Sequence, residues 1–290
     1  MKIALSGTTG FIGGNLIHEL KDSGHEIIAI NRSVLTDISV LTELISGTDA
    51  VIHLAGSPIL CRWTEENKQE ILKSRTESTR NIILAINNLL PEKRPHTYVS
   101  ASAIGIYLPG ESHTEESTSF STDFVGDVVK QWEKSSAELN TSVRKVIFRI
   151  GLVLGKEAKT MKQLIPLFKL GLGGKIGSGR QSFPFVHIND VTSAFLRAIQ
   201  DREINGIYNL VAPQSITNEQ FTKALSKAVN RPAFFTVPEF ALQLIYGEAS
   251  SLLLQSPAVY PERLLQSGFI FHYPEIHTTL AEITAFKNPC

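Results

Sequence analysis

The chain has 290 residues, and its 28 lysines and arginines balance 28 aspartates and glutamates, so the formal net charge at pH 7 is zero. Without a basic excess it lacks the field that attracts nucleic acid or an anionic membrane, and we expect neither as a partner. The two cysteines, Cys61 and Cys290, show no CxxC or histidine spacing, which predicts a reducing compartment and no structural metal. Since neither a signal peptide nor an apolar run of membrane-spanning length is visible, we expect a cytoplasmic protein.

Short apolar runs alternate with helical periods through the first half of the chain. The apolar runs predict strands at 2–7, 25–32, 49–56, 96–102, 144–151 and, later, 206–212. Helical periods predict helices at 11–23, 64–89 and 123–139. This order of elements predicts an α/β fold with a Rossmann-type, doubly wound parallel sheet and right-handed crossovers.

The regular alternation of apolar runs and helical periods ends after residue 151. A glycine-rich run follows, and then an irregular, helix-rich tail. We therefore predict two units. A dinucleotide-binding Rossmann domain takes residues 1–151 plus 184–212, and a smaller, helix-rich substrate lobe takes residues 152–183 plus 213–290.

The stretch SGTTGFIGG joins the first predicted strand to the first helix and contains Gly7, Gly10 and Gly13. In such a turn the first glycine permits the tight bend, the second lets backbone approach a pyrophosphate, and the third allows close packing of helix on strand. The helix N-terminus then faces the negative charge. A glycine-rich turn without a ligand is the alternative, but the position between one strand and one helix favours a dinucleotide site.

The second predicted strand ends in Asn31-Arg32-Ser33, where NAD-binding chains often carry an acid for the ribose hydroxyls. Arg32 can form charge-assisted bonds with a 2′-phosphate and Ser33 can donate another, which favours NADP(H) over NAD(H). Two alternatives remain open: Arg32 is a solvated loop charge, or Asp37, further into the loop, opposes it.

Three segments carry a resemblance to a known family: GTTGFIG at the start, HLAG at 53–56 and SASAIGIY at 100–107. With them the chain resembles the extended short-chain dehydrogenase/reductases of the nucleotide-sugar epimerase group. The blocks RWT…SR…TR and GLGG…GSGRQ resemble an atypical branch, the NAD(P)-dependent "epimerase family" proteins. The resemblance implies a nicotinamide cofactor, an oxidoreductase or epimerase activity on a small molecule, and possible homodimerisation through the helices predicted at 64–89 and 123–139.

The resemblance assigns a set of residues to the cofactor: Gly7, Thr8, Thr9, Gly10, Phe11, Ile12, Gly13, Asn31, Arg32, Ser33, Leu54, Ala55, Gly56, Ser57, Arg75, Ser100 and Ala101. Arg75 falls where the extended enzymes commonly place an asparagine. Ser102 matches the serine that binds the reacting carbonyl or hydroxyl, and is the one candidate catalytic residue. A serine that only caps the strand end is the alternative.

The acid–base pair is where this chain departs from the family. Ordinary members carry a tyrosine and, four residues later, a lysine that lowers its pKa. The spacing from Ser102 places that pair at Val128 and Trp132, and neither side chain can transfer a proton. Lys130 and Asp127 are one or two positions away and therefore lie on other faces of the helix.

One face of the same helix is predicted to be an apolar stripe that packs on the sheet. The stripe is formed by Phe124, Val125, Val128, Val129, Trp132 and Leu139. Its solvent face is predicted to carry Lys130, Glu133 and Lys134. An alternative is that Val128 lies near the nicotinamide and forms an apolar floor that excludes water.

Candidate substrate-binding residues lie in loops after the predicted strands. Arg62 and Trp63 can recognise a carboxylate or stack on a ring, and Arg180 and His187 are placed at the mouth between the two lobes. Asp190 beside His187 either joins them or only caps a helix.

Two further groups are weaker candidates. Tyr107 is a candidate substrate-binding residue and a surrogate acid without a lysine at a known spacing, and Cys61 has no neighbouring base, which disfavours an activated thiolate. Three functions stay open. The first is an NADP(H)-dependent oxidoreductase or epimerase whose proton donor is unusual, water included; the second is a non-catalytic NADP(H)-binding sensor or scaffold; the third is a structural protein without cofactor.

Overall fold

The structure is a computed structural model that describes residues 1–285; Cys290 and the rest of 286–290, which the predicted substrate lobe includes, lie outside the described residues. The strands are β1 (Lys2–Ser6), β2 (Glu26–Ile30), β3 (Ala50–His53), β4 (Thr97–Ala103), β5 (Ser112–His113), β6 (Arg144–Ile150), β7 (Leu152–Leu154), β8 (Gly174–Ile176), β9 (Phe185–His187), β10 (Gly206–Leu210), β11 (Phe235–Val237) and β12 (Ala258–Val259). The helices are α1 (Phe11–Asp22), α2 (Ile38–Ile45), α3 (Glu65–Asn88), α4 (Phe124–Lys134), α5 (Lys159–Lys169), α6 (Ile188–Gln200), α7 (Asn218–Ala228), α8 (Glu239–Tyr246), α9 (Ser251–Leu254), α10 (Glu262–Gln266) and α11 (Ile276–Thr284).

Six strands form the central sheet in the order β10-β6-β4-β3-β1-β2, and every neighbouring pair is parallel. The predicted α/β fold with a doubly wound parallel sheet is confirmed. The strand order reverses between β1 and β3, because the chain first moves outward to β2 and then returns to the other side of β1. In open α/β sheets ligands bind at the carboxyl ends of the strands beside such a switch point.

Both faces of the sheet are buried, which explains why its strands read as nearly continuous apolar runs. On one face Ile3 and Leu5 of β1 pack with residues of α1 and α6, including Leu16 and Phe195. On the opposite face Ala4 and its neighbours pack with residues of α2 and α3. The helices are thereby held at fixed positions around the carboxyl edge of β1 and β3.

Two helices differ from the prediction. The sequence pattern did not indicate α2, which begins after Asp37 because that side chain accepts hydrogen bonds from the backbone amides of Ser39 and Val40. Helix α4 ends at Lys134, five residues before the predicted end at 139, and the hydroxyls of Ser135 and Ser136 bond carbonyls of its last turn.

β10, from the segment 184–212, joins the sheet beside β6. The division into two units at the predicted boundaries stays a prediction. Within residues 1–285, no helix combines the length and the apolar character needed to cross a membrane.

Candidate active site

A cavity of about 580 Å³ opens at the carboxyl ends of β1, β2 and β3. We call it the cleft. Among the residues assigned to a cofactor, those that line the cleft are Gly7, Thr8, Thr9, Gly10, Asn31, Arg32, Leu54, Ala55, Gly56 and Ser57. Those that do not line it are Phe11, Ile12, Gly13, Ser33, Arg75, Ser100 and Ala101. Three separate turns of the chain therefore converge on one concave surface.

The glycine turn between β1 and α1 has no room for side chains. Gly7 has φ of +75°, and a Cβ there would lie 2.8 Å from the carbonyl carbon of Leu54. A Cβ on Gly13 would overlap the carbonyl group of Gly7. Gly10 is the N-cap of α1, and no side chain caps the helix, so the amide groups of the first turn are available to an anion.

Arg32 projects from the end of β2 with 83% of its side chain exposed, and its Nη2 lies 2.6 Å from Glu70 Oε1. The same carboxylate oxygen accepts a 2.7 Å hydrogen bond from the Ser57 hydroxyl. This bond and the charge of Arg32 lower the pKa of Glu70. Asp37, the acid that the sequence left as an alternative partner, caps α2; the acid that contacts Arg32 is Glu70 on α3.

His53 lies beneath the cleft and is completely buried. Its Nδ1 is 2.6 Å from the Ser6 hydroxyl and its Nε2 is 3.1 Å from the Ser78 hydroxyl. Because Ser78 donates its own proton to the Ser74 carbonyl, it accepts from Nε2–H, and Nδ1 accepts from Ser6. Burial, helped by the charge of Arg75, lowers the pKa of His53 to about 3, so the ring is neutral and ties β1, β3 and α3 together.

Arg75 packs against Gly56, and its guanidinium lies 5.3 Å from the ring centre of Trp132 on α4. A Cβ at residue 56 would meet the Arg75 Cζ at 3.4 Å, so the guanidinium lies directly beside the backbone that lines the cleft. The guanidinium donates to the Ile71 carbonyl at 3.0 Å, and within residues 1–285 it has no carboxylate partner. Burial lowers the pKa of Arg75 to about 10. A cation therefore stands at the α3–α4 contact, beside the ring of Trp132.

Helix α4 buries the predicted apolar stripe. Val125, Val128, Val129 and Trp132 are each at most 7% exposed. The prediction of a core-packed face is thereby confirmed for these four residues. The indole nitrogen of Trp132 is buried and has no hydrogen-bond partner in the described chain.

Glu133 does not lie on the solvent face, so that prediction was wrong. Its side chain is 12% exposed, and its carboxylate forms a paired contact with Arg149 of β6, through Nε and Nη2, at 2.8 Å each. The Ser102 hydroxyl donates to the same carboxylate at 2.6 Å. The parallel register of β4 and β6 sets Ser102 beside Arg149, which explains why one acid reaches both. Burial alone would lower the pKa of Arg149. The hydrogen bonds and the charge of Glu133 outweigh burial, so the pKa of Arg149 is raised.

Tyr107 extends this arrangement. Its hydroxyl accepts from Arg149 Nη1 at 2.9 Å and donates to Asn209 Oδ1 of β10 at 2.8 Å. The side chain is completely buried, and burial raises the pKa of Tyr107. We call these five residues, Ser102, Glu133, Arg149, Tyr107 and Asn209, the Glu133–Arg149 network. Both hydroxyl groups of the network, those of Ser102 and Tyr107, are hydrogen-bonded to other members of it.

Of the residues predicted to bind substrate, Arg62 and Arg180 are exposed, Trp63 is partly buried, and His187 is buried. Trp63 packs edge-on against Phe124 with ring centres 4.9 Å apart, and its indole nitrogen donates to the Ile59 carbonyl. Arg62 beside it is exposed, and Arg180 is exposed in the β8–β9 loop. Lys68 also lies over the Phe124 ring, 5.4 Å from its centre. Trp63 and Lys68 therefore pack on Phe124, whereas Arg62 and Arg180 are exposed to solvent.

His187 is not at a surface mouth, contrary to the prediction. It is 1% exposed, caps α6, and its Nε2 lies 3.0 Å from Glu282 Oε2. Burial lowers the pKa of His187, although Glu282 acts in the opposite direction. Asp190 is not the cap: it accepts backbone hydrogen bonds from His272 and Tyr273. Both side chains anchor the C-terminal segment on α6.

Cys61 is a free thiol whose sulfur donates to the Pro58 carbonyl.

Comparison with known proteins gives consistent matches along the chain. The profile of the NAD dependent epimerase/dehydratase family matches residues 3–210, and a domain of unknown function, DUF1731, matches residues 237–283. Epimerase family protein SDR39U1 from Bos taurus is 35% identical over 98% of this chain and all of its own length. A homologue from Arabidopsis thaliana, described as chloroplastic, is 32% identical over 98% of this chain and 86% of its own length.

A solved structure shows the same similarity in three dimensions. The crystal structure of human epimerase family protein SDR39U1 with NADPH superposes with a TM-score of 0.90 at 33% identity, covering 98% of this chain and 99% of that chain. The chloroplastic relative means that the expected cytoplasmic location stays a prediction.

Proposed function

The chain belongs to the NAD dependent epimerase/dehydratase family, and from this premise we propose that it binds NADP(H) in the cleft and acts as an oxidoreductase or epimerase on a small polar molecule. The observation that carries the proposal is the convergence of the glycine turn, Arg32 and the β3 end on one cavity. The α1 amides and the guanidinium suit a pyrophosphate and a 2′-phosphate, respectively. The NADPH bound to the human relative supports the same cofactor.

A bound nicotinamide would supply or accept a hydride at a carbon that carries an oxygen. The chain's own contribution would be to hold the reacting oxygen and to exclude water. Arg75 places positive charge where the family's lysine is missing, and a fixed cation stabilises negative charge that develops on such an oxygen. Val128 offers an apolar wall in place of the tyrosine. Because Tyr107 is enclosed in the Glu133–Arg149 network, we assign the proton to water.

Cofactor preference is the first test. Titration of the purified protein with NADPH and with NADH, followed by calorimetry, measures two dissociation constants. If Arg32 binds the 2′-phosphate by charge-assisted bonds, Arg32→Gln weakens NADPH binding by about 10- to 150-fold and leaves NADH nearly unchanged. Arg80→Gln is the matched control, since Arg80 is exposed on α3 and its side chain has no hydrogen bond or ion pair within residues 1–285. Equal losses for both cofactors would contradict the preference.

Turnover is the second test. NADPH-loaded protein is incubated with a panel of carbonyl compounds and nucleotide sugars, and products are separated by chromatography so that epimerisation without net oxidation is also detected. Turnover of one class that is lost in Arg75→Met supports the enzyme. No turnover across the panel, with the cofactor tightly held, would count against it.

A second function is supported by one observation: the Ser102 hydroxyl is engaged by Glu133 and is 4% exposed. On this ground the alternative function is a non-catalytic NADP(H) sensor or scaffold. Affinity capture with and without NADPH tests it, because a sensor must change its partners or their affinity with cofactor state. Identical recoveries in both conditions would remove its support.

A further inference from the structure

Three polar side chains from three elements meet at the adenosine side of the cleft. Arg32 follows β2, Ser57 follows β3, and Glu70 lies on the second turn of α3; all three line the cleft. Glu70 Oε1 lies 2.6 Å from Arg32 Nη2 and 2.7 Å from the Ser57 hydroxyl. We propose that Glu70 competes with the cofactor's 2′-phosphate for Arg32 and thereby sets how strongly the protein prefers NADP(H) over NAD(H). This inference rests on the proposed cofactor.

The contact is arranged so that a ligand can displace it. Arg32 is 83% exposed and Glu70 46% exposed, so water screens the pair and its own strength is small. A 2′-phosphate offers Arg32 more charge and more acceptor oxygens than one carboxylate does. An incoming phosphate group can therefore bind the Arg32 guanidinium, and the existing bond between Arg32 and Glu70 breaks when it does.

Glu70 stays charged while it competes. The Ser57 hydrogen bond, and after it the charges of Arg32 and Lys73, lower the pKa of Glu70. When Arg32 turns to a phosphate, the carboxylate is left on the same wall as a second negative group. The ribose 2′-hydroxyl of NADH is uncharged, so it neither draws Arg32 away from Glu70 nor is repelled by the carboxylate. Glu70 therefore weakens binding of the phosphorylated cofactor selectively.

The test uses Glu70→Gln, which keeps the shape and removes the charge. We expect the dissociation constant for NADPH to fall by about two- to fivefold, the range of an exposed ion pair, and that for NADH to change by less than twofold. The gain should grow as salt is lowered. It should shrink in Arg32→Gln/Glu70→Gln relative to Arg32→Gln to the part that like-charge repulsion supplies, because the competition needs both partners.

Glu77→Gln is the matched control. Glu77 also lines the cleft from α3, and its side chain has no hydrogen bond or ion pair in the described part of the chain. It removes the same charge from the same wall without touching Arg32, so it should leave the ratio of the two dissociation constants within twofold of the unsubstituted protein. Thermal unfolding without cofactor confirms that each variant folds.

The outcomes separate the two proposals. If the unsubstituted protein binds neither dinucleotide, both proposals fail. If it binds NADPH but Glu70→Gln leaves the ratio unchanged, or Glu77→Gln shifts it equally, only the competition is overturned. Weaker NADPH binding in Glu70→Gln would also overturn it, since Glu70 would then be holding Arg32 in place for the phosphate.

Discussion

The cleft and the Glu133–Arg149 network lie at the same carboxyl edge of the sheet, but they use their polar groups in opposite ways. In the cleft the first-turn amides of α1 have no side-chain cap, and Arg32 stands largely in solvent. In the network each hydroxyl is engaged: Ser102 with Glu133, and Tyr107 with Arg149 and Asn209. The cleft leaves the first-turn amides of α1 without a side-chain partner and holds Arg32 only by an exposed ion pair with Glu70, whereas the network satisfies its donors in buried contacts.

The family resemblance places an acid–base pair at positions 128 and 132, on the helix that joins the network. Val128 and Trp132 of α4 are buried apolar side chains, and Glu133 of the same helix contacts Ser102 of β4 and Arg149 of β6. The helix then serves as a packing and ion-pair element. The glycine turn lines the cleft, whereas Val128 and Trp132 are buried in the core.

The largest effect is expected from breaking the network. Glu133→Ala leaves the Arg149 guanidinium, 4% exposed, without its carboxylate, and removing one member of a buried ion pair costs about 3–5 kcal/mol of the free energy of unfolding. Urea unfolding measures this loss. Glu138→Ala is the control, because its side chain is exposed and forms no hydrogen bond or ion pair in the described chain. A cost below about 1 kcal/mol would show that the network is open to water.

The glycine turn gives the next largest effect. An alanine at residue 13 would press its Cβ against the Gly7 carbonyl, and such overpacking costs about 1–3 kcal/mol. We expect Gly13→Ala also to lose the rise in melting temperature that NADPH produces. Gly14→Ala is the neighbouring control, since its Cβ would meet only the Thr8 carbonyl oxygen at 3.9 Å. If Gly13→Ala keeps full NADPH stabilisation, the turn does not hold the cofactor.

His53 connects the cleft to the core and predicts a pH dependence. Its pKa is about 3 in the folded chain against an ordinary value of 6.5, so below pH 6.5 the unfolded state takes a proton that the folded state refuses. The stabilisation is therefore fully present above pH 6.5 and is lost as the pH falls toward 3, at up to about 1.4 kcal/mol per pH unit.

Unfolding free energies measured between about pH 7 and pH 4 test this dependence. His53→Gln should flatten part of the slope, whereas His18→Gln, at an exposed position on α1, should leave it unchanged. Parallel slopes in all three proteins would mean that His53 is protonated in the fold.

Much of the fold could be predicted because its signals are local. Apolar runs and glycine spacing are properties of neighbouring residues, and they indicated the strands of the sheet and the turn at Gly7. Helix α2 was missed because its eight residues carry only Leu41 and Ile45 as a buried pair behind the Asp37 cap. A short helix with so few buried residues has a weak periodic signal.

The network could not be predicted in the same way, because its partners are distant in sequence. Helical position alone put Glu133 beside Lys130 and Lys134, and its true partner, Arg149, is supplied by strand β6. One signal was available: an arginine near the end of a strand buried on both faces needs an acid. The pairing of Arg32 with Glu70 had no such signal, since both residues are exposed.

Ser102→Ala is expected to have the smallest effect on stability, and it tests most directly whether the Glu133–Arg149 network is only structural. Ser102→Ala removes one hydrogen bond to Glu133, while Arg149 still pairs with that carboxylate, so we expect a loss of about 1 kcal/mol and unchanged NADPH affinity. If a substrate is found, a structural Ser102 predicts turnover within a few-fold of the unsubstituted protein. If the variant instead turns over its substrate about 100-fold more slowly at the same stability, Ser102 must leave Glu133 for the substrate, as a general acid–base or positioning group would. The network would then be one state of a working site, and its closure would be the form it takes before substrate arrives.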